Sequence, residues 1–220
     1  MTRQAFEQSL KAIQEETINL GKMVENAIGQ SIDSLSRRDL ELSQQIVSDD
    51  SKINQKRFEI EEKCVQLIAT QQPMATDLRT LAAILNIITE LERMADHAEG
   101  IAKINIRIGK EPLIKPLIDI PRMRQKACDM LRRSLEAFIA HDAESARKIC
   151  AEDEEVDNLY NQVYRELLTY MLEDPRTITR ATYLLWVAHN LERIADRVTN
   201  ICERVIFLVT GKMQEFNIPH

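Results

Sequence analysis

Apolar side chains recur every three or four residues along the first 35 residues, which is the spacing of one face of an amphipathic helix. This stripe consists of Phe6, Leu10, Ile13, Leu20, Val24, Ala27 and Leu35. A polar turn at 36–39 interrupts the pattern before a second helix of roughly 40–71. Pro73 allows a third helix to start, and Gly109 is the residue type that commonly ends one. The first half of the chain therefore predicts three long helices.

The third helical segment recurs later in the chain. Residues 85–106 align with residues 185–206 at a constant offset of 100, without a gap. From residue 91 onward seven side chains are identical: Leu91, Glu92, Arg93, Ala95, Asp96, Ile101 and Ile106 recur as Leu191, Glu192, Arg193, Ala195, Asp196, Ile201 and Ile206. A fainter match at an offset of 103 pairs Ile46, Asp50 and Ile53 with Ile149, Asp153 and Val156. The chain thus consists of two homologous units.

Proline and glycine residues within 109–121 forbid a continuous helix between these units. In the second unit, helix breaks are expected near His141 and at Pro175. Long helices joined by very short turns must lie antiparallel. The sequence therefore predicts an all-α fold, a tandem repeat of two antiparallel three-helix bundles. Its expected parts are a first repeat at 1–109, a linker at 110–121, a second repeat at 122–211 and a tail at 212–220.

Composition agrees with helices and excludes several classes of protein. Only 5 glycines and 6 prolines occur among 220 residues, too few for the frequent turns of a β-sandwich or barrel. A net charge of −6 gives no general attraction to nucleic acid or anionic lipid, and no stretch is long and apolar enough for a membrane span. Four cysteines without a CxxC pair favour core thiols in a reducing compartment: Cys64, Cys128, Cys150 and Cys202. We expect a cytoplasmic protein without membrane insertion or nucleic-acid partners.

Carboxylates interrupt the apolar stripes at repeated positions. Glu92 and Asp96 lie four residues apart, as do Glu192 and Asp196, so each pair shares a helix face. The preceding helix of each unit places Asp50 or Asp153 on an apolar stripe, where an unpaired carboxylate is costly. The second unit adds Asp157 one turn later, where the first unit has the neutral Asn54.

These acids have two interpretations. As metal ligands they would form one site per unit, and their oxygen atoms suit Mg, Mn or ferric iron better than structural zinc. The additional carboxylate of Asp157 would make the second site the tighter one. As structural groups they would form ion pairs across the bundles with Arg93 and Arg193, which directly follow the glutamates. Spacing alone leaves both interpretations open.

The residues contain no catalytic motif. A carboxylate-bridged di-iron bundle needs Glu-x-x-His on two helices, but His97 follows Glu92 by five residues and no histidine follows Glu192 within reach. A phosphate-binding loop, a dinucleotide fingerprint and a Ser-His-Asp set are also missing from the sequence. The residues therefore give no positive evidence of catalysis.

Several segments together resemble the PhoU family of bacterial regulators of phosphate uptake. They are LIATQQPMATDLRTLAAIL at 67–85, LERMADHAEGIA and LERIADRVTNICERV in the two repeated helices, and VIFLVTG at 205–211. The family signature, an acidic residue followed four positions later by Asp, fits Glu92 with Asp96 and Glu192 with Asp196.

This resemblance implies a non-enzymatic regulator that represses the phosphate-starvation response when phosphate is plentiful. Its implied partners are the ATPase subunit of the phosphate ABC transporter, a membrane sensor histidine kinase and a second copy in a homodimer. It implies bound metal, iron first with Mn, Mg or Zn as alternatives, at Asp50, Glu92, Asp96, Asp153, Asp157, Glu192 and Asp196. The alternatives are a helical scaffold whose acids only form ion pairs, without metal, and an accessory protein of a low-affinity phosphate permease.

Overall fold

A computed structural model describes residues 3–212, which form helices joined by turns and one longer linker and contain no β-strand. The α-helices are α1 (Arg3–Arg37), α2 (Leu40–Gln71), α3 (Ala75–Ile108), α4 (Asp119–Ala140), α5 (Ala143–Ala151), α6 (Asp153–Glu173) and α7 (Ile178–Thr210). A short 3-10 helix at Pro175–Thr177 precedes α7. The predicted all-α fold is confirmed. Of the predicted tail, residues 213–220 lie outside the described residues.

The turns after α1 and α4 have the same construction, which extends the repeat to the helix ends. Arg38 and His141 both adopt left-handed backbone conformations, with φ of 59° and 53°. Asp39 then caps α2 by accepting a 2.9 Å hydrogen bond from the backbone N–H of Leu42. Asp142 caps α5 in the same way. Both breaks lie where the sequence predicts them.

One break was not predicted. The second helix of the second unit is divided at Glu152 into α5 and α6, so this unit has four helices instead of three. The Glu152 backbone N–H bonds to the carbonyl of Ile149 at 3.0 Å, the tighter connection of a 3-10 turn. Arg133 and Lys126 of α4 hold the Glu152 carboxylate, at 2.7 Å each. No proline or glycine marks this position, and the apolar pattern continues through it. The sequence therefore contains no sign of the break.

The predicted linker is shorter in the structure. Helix α4 begins at Asp119, so residues 119–121 already belong to it, and Pro121 lies in its first turn, where a missing N–H is harmless. The start of the linker is held by the Arg38 guanidinium, which donates to the carbonyl oxygens of Gly109 and Glu111. The linker is therefore tied back onto the first unit.

The two units share one continuous core. Helices α3 and α7 lie antiparallel, because Glu90 contacts Arg197 while His97 contacts Asn190. On the opposite side, α1 packs on α4 so closely that a Cβ at Gly21 would overlap Leu135 Cδ1. Side chains from every helix contribute to a single buried cluster. The predicted acids lie on the α2/α3 and α6/α7 surfaces. Because the helices share one core, these two surfaces have fixed positions relative to each other.

The structure bears on the predictions about membrane spans and cysteines. Within residues 3–212, none of the helices has both the length and the apolar character required to cross a membrane. All four cysteines are free thiols, three buried and Cys128 half-buried. Burial raises the pKa of both Cys64 and Cys128 to about 12, as expected of inert packing residues.

Candidate functional site

The first carboxylate cluster forms where α2 faces α3. Asp50 lies near Asp96 and Glu92, so the three predicted acids of this unit come together. Burial raises the pKa of Asp50, and the negative charges of Glu99 and Asp96 raise it further. The Asn54 amide donates a 2.8 Å hydrogen bond to Asp50 Oδ2. The other oxygen, Asp50 Oδ1, is buried and has no hydrogen-bond partner.

Glu99 belongs to this first cluster and was missed by sequence reasoning. It lies three residues after Asp96 on the same face of α3 and lines a small cleft of about 140 Å³ with Asp49 and Asp50. Lys103 forms an ion pair with it at 2.6 Å. The repeat conceals this acid because the equivalent position of the second unit is Thr199. The helical spacing from Glu92 through Asp96 to Glu99 is the signal that could have found it.

The second carboxylate cluster forms where the start of α6 faces α7. Asp153 is only 7% exposed, and its Oδ1 atom has no hydrogen-bond partner. Burial, followed by the charges of Asp196, Asp157 and Glu192, raises the pKa of Asp153 to about 7. The same causes raise the pKa of Asp157. The four predicted acids of this unit are therefore neighbours, and the break at Glu152 sets Asp153 in the first turn of α6.

A guanidinium enters the second cluster but not the first. Arg193 bonds both oxygens of Glu192, at 2.6 and 2.7 Å, and reaches Asp196 Oδ2 at 2.9 Å. Its counterpart Arg93 is half exposed and pairs with Glu90 at 3.1 Å. With Glu99 counted, each cluster has four carboxylates. The tighter second site stays a prediction, but an additional carboxylate no longer distinguishes the two clusters. They differ in their cations, because Lys103 pairs with Glu99 at the first and Arg193 lies within the second.

The donor chemistry of both clusters fits a hard cation. Carboxylate oxygens are the ligands that Mg²⁺, Mn²⁺ and ferric iron prefer. Asp50 Oδ1 in the first cluster and Asp153 Oδ1 in the second are buried and have no hydrogen-bond partner among residues 3–212. Within residues 3–212, no three His, Cys, Asp or Glu side chains are already grouped in an arrangement that could hold a metal ion. A bound cation would therefore have to draw these carboxylates together.

Comparison with known proteins decides the family. A model of the PhoU domain matches twice, at residues 17–104 and 120–205. A PhoU homologue of Clostridium acetobutylicum, named as a phosphate-specific transport system accessory protein, is 38% identical over 99% of this chain and 100% of its own. A homologue from Aquifex aeolicus is 39% identical over 93% of this chain and 92% of its own. The chain belongs to the PhoU family.

Solved PhoU structures have the same fold. The phosphate transport system regulatory protein PhoU from Streptococcus pneumoniae superposes with a TM-score of 0.89 at 31% identity, covering 96% of this chain and 99% of the other. PhoU from Pseudomonas aeruginosa gives the same TM-score at 34% identity, covering 94% of this chain and all of the other. The tandem bundle architecture is therefore that of the PhoU family.

Two histidines lie beside the clusters in this PhoU-family chain. His97 Nδ1 is 2.9 Å from Asn190 Oδ1, so His97 bridges α3 and α7 rather than facing Asp50. Burial lowers its pKa, which keeps the imidazole neutral. His189 Nδ1 lies 3.2 Å from Glu192, a contact that sequence reasoning missed because it considered only residues after the glutamate.

Proposed function

We propose that this chain is a regulator of phosphate uptake that represses the phosphate-starvation response when phosphate is plentiful. The observation that carries the proposal is the match of both units, over almost the full chain, to PhoU proteins named as accessory or regulatory proteins of phosphate transport. Deletion of its gene should derepress a phosphate-starvation reporter at high phosphate, and a plasmid copy should restore repression. A reporter that stays repressed in the deletion strain would refute the proposal.

Regulation of this kind works through partners, and we propose two. They are the ATPase subunit of the phosphate ABC transporter and a membrane sensor histidine kinase, both reached from the cytoplasm. Support comes from the relatives' names, which attach them to the phosphate-specific transport system. Purified chain and each purified partner should co-elute or give saturable binding by calorimetry. Absence of binding to both would contradict this part.

The proposed regulator is not an enzyme and forms a homodimer. Support comes from the relatives, which are named as accessory or regulatory proteins of phosphate transport. Loss of the protein should therefore change gene expression without loss of any turnover. Light scattering at micromolar concentration should give twice the chain mass, and a strict monomer would refute the dimer.

The clusters are proposed to bind metal ions, iron first and Mn, Mg or Zn as alternatives. The first site would consist of Asp50, Glu92, Asp96 and Glu99, and the second of Asp153, Asp157, Glu192 and Asp196. A bound cation supplies positive charge that relieves the repulsion among buried carboxylates. Elemental analysis of protein soaked in iron or manganese should find metal that is absent after Glu92→Gln, Asp96→Asn, Glu192→Gln and Asp196→Asn are combined.

A scaffold whose acids only form ion pairs is the second candidate. The Arg193 contacts with Glu192 and Asp196 favour it, because they partly neutralise the second cluster without metal. Under this alternative, the unmodified chain binds no metal, and added metal does not change its melting temperature. The elemental analysis above separates the two candidates, and the reporter assay tests regulation independently of either.

A further inference from the structure

An apolar strip lies exposed on the α6/α7 surface. On α6, Tyr164, Leu168 and Leu172 follow one another at intervals of four residues, with exposures of 44%, 41% and 76%. On α7, Ile178 and Trp186 are exposed by 48% and 44%. We call these five side chains the apolar strip. Exposed apolar side chains aligned along one surface are typical of sites that bind another molecule.

The apolar strip is special to the second unit. At the offset of 103, Tyr164, Leu168 and Leu172 correspond to Glu61, Val65 and Ala69. At the offset of 100, Trp186 corresponds to Asn86. On the same surface the first unit keeps the exposed apolar Val65 and also Leu78, the counterpart of Ile178, but interrupts them with a charge, a methyl group and an amide. Because both units share one fold, maintaining that fold does not require the apolar residues of the strip.

One end of the strip adjoins the second carboxylate cluster. The rings of Tyr160 and His189 lie 6.2 Å apart across α6 and α7, and His189 contacts Glu192. Beyond them, four carboxylates face the single guanidinium of Arg193. At the opposite end, Arg176 is already paired with Asp174 at 2.9 Å. The exposed Glu173 also follows Leu172 at that end, so the larger concentration of carboxylates, rather than all of the negative charge, lies at the end with the second cluster.

This combination matches a helix of a partner protein with an apolar face and a basic end. From Asp157 to Leu172, α6 rises about 22 Å, the length of roughly four helical turns. Apolar residues of such a helix at i, i+3, i+4 and i+7 would lie on the strip while lysines or arginines at one end meet the acids. An anionic membrane would be repelled by that acidic end. Two copies of the strip, whether paired parallel or antiparallel, would leave the acids without basic partners.

We propose that the apolar strip, with the adjoining carboxylates, is the docking surface for a cationic amphipathic helix of a protein partner. The proposal rests on the proposed function, in which this chain acts through protein partners, and it specifies the chemistry by which one of them is recognised. In the metal-free chain, the recognition would combine burial of the strip with charge pairing at its acidic end. A cation bound by the second cluster would take up that negative charge, so metal and the basic end of the helix would compete.

The test uses the full chain and a 14-residue amphipathic peptide of leucine and lysine, in a buffer that contains a chelator. Trp186 is the single tryptophan, so its emission reports directly on the strip. Binding should shift this emission to shorter wavelength and protect it from acrylamide quenching. A peptide of the same pattern made from leucine and glutamate, and a leucine–lysine peptide of scrambled order, should leave it unchanged.

Matched double variants locate the binding. Leu168→Ser with Leu172→Ser should weaken peptide binding at least tenfold, measured by polarisation of a labelled peptide. The control, Phe58→Ser with Val65→Ser, removes equally exposed apolar residues from α2 and should bind like the unmodified chain. Circular dichroism and melting should show both variants folded. Equal affinities of the two variants, or equal binding of the glutamate peptide, would overturn the proposal.

Two further measurements keep the alternatives apart. If the unmodified chain self-associates and only the Leu168→Ser, Leu172→Ser variant loses the larger mass, the strip binds a second copy and the proposal is wrong. In cells, the same variant should derepress the phosphate-starvation reporter while the α2 variant does not. A deletion strain that stays repressed refutes the proposed function alone, because peptide binding by the purified protein does not depend on it.

Discussion

At the level of single side chains, the two carboxylate clusters differ most in the direction taken by the arginine that follows the glutamate. Arg193 turns into its cluster and pairs with Glu192 and Asp196, whereas Arg93 turns outward to Glu90. A cation entering the second cluster has to displace that guanidinium. Arg193→Gln should therefore tighten Mn²⁺ binding by the second cluster about tenfold, and Arg93→Gln should change it little.

Calorimetric titration with Mn²⁺ measures this effect in the unmodified chain and the two variants. To assign the sites, each titration is repeated with Glu92→Gln and Asp96→Asn, which removes the first cluster from the signal. Weaker binding after Arg193→Gln would mean that the arginine organises the ligands rather than competing with the metal.

The pKa of Asp153, raised to about 7, predicts a pH-dependent stability. A carboxyl whose pKa is higher in the folded state binds its proton more tightly there, so the free energy of unfolding falls as the pH rises from about 4 to about 7. Asp153→Asn removes this effect. In chelator, the variant should be more stable than the unmodified chain by up to about 4 kcal/mol at pH 8, with little difference near pH 4.

Urea unfolding at both pH values checks this prediction, since the Asn side chain keeps the shape of Asp. The exposed Asp33→Asn substitution serves as the control and should show no such dependence. A stability gain of equal size at both pH values would indicate a packing effect instead of ionisation.

Two glycines of α1 predict opposite effects of the same substitution. A Cβ at Gly21 would overlap Leu135 Cδ1, whereas a Cβ at Gly29 would meet only Arg124 Nη1 at 3.4 Å. Gly21→Ala should therefore destabilise by about 1–3 kcal/mol through overpacking. Gly29→Ala should be neutral or stabilise by up to about 1 kcal/mol, because alanine favours helix. Thermal melts of the two variants decide the matter, and equal shifts would contradict the close α1–α4 approach.

Among the helices, the break at Glu152 is held by side chains rather than by its backbone preferences. Arg133 and Lys126 both pair with Glu152, and the Arg133 hydrogen bonds lower the pKa of Glu152 to about 2. Glu152→Ala should cost about 1–3 kcal/mol because two cations of α4 lose their closest carboxylate, which leaves Arg133 with Asp129 and Lys126 with Glu155. Glu155→Ala, which removes an exposed partner of Lys126, should cost less than about 0.5 kcal/mol.

Urea unfolding compares these two variants directly. If the break positions Asp153, metal binding by the second cluster should also weaken in Glu152→Ala and stay unchanged in Glu155→Ala. Loss of stability without any change in metal binding would separate the break from the site.

Over the complete fold, the packing of α3 on α7 makes the two units one cooperative structure. The contacts of His97 with Asn190 and of Glu90 with Arg197 and Asn200 tie their middles together, and the buried core continues across them. A chain ending after residue 109 would expose the α7-facing side of α3 to water. It should self-associate or unfold without a cooperative transition, as light scattering and thermal circular dichroism would show. A stable monomeric fragment would contradict a shared core.

The acidic positions on the stripes could be predicted from sequence because side chains at i and i+4 always share a helix face. That reasoning identified Asp50 and Asp153, since a carboxylate on an apolar stripe is conspicuous, and the structure brings each to the predicted neighbours. Glu99 was not predicted as a member of the first cluster, because the equivalent residue of the second unit is Thr199. The contact of His189 with Glu192 was not predicted, because the Glu-x-x-His pattern places the histidine after the glutamate and His189 precedes it.

Most helix bounds, the repeat and the family could be predicted from the sequence. The signals are the spacing of apolar residues, the turn residues at 38–39 and 141–142, and the residues that recur between the two units. These signals can be recognised along the chain without knowing which helices are in contact, so the sequence was enough to predict these features. The break at Glu152 and the packing of α1 on α4 depend on partners 19 or more residues away or on another helix. The Arg193 guanidinium pairs with Glu192 and Asp196 of its own helix, but the charge of Asp157 on α6 also acts on it. Rotamers and close approaches of this kind are selected by the neighbouring helices, which is why only the tertiary structure decided them.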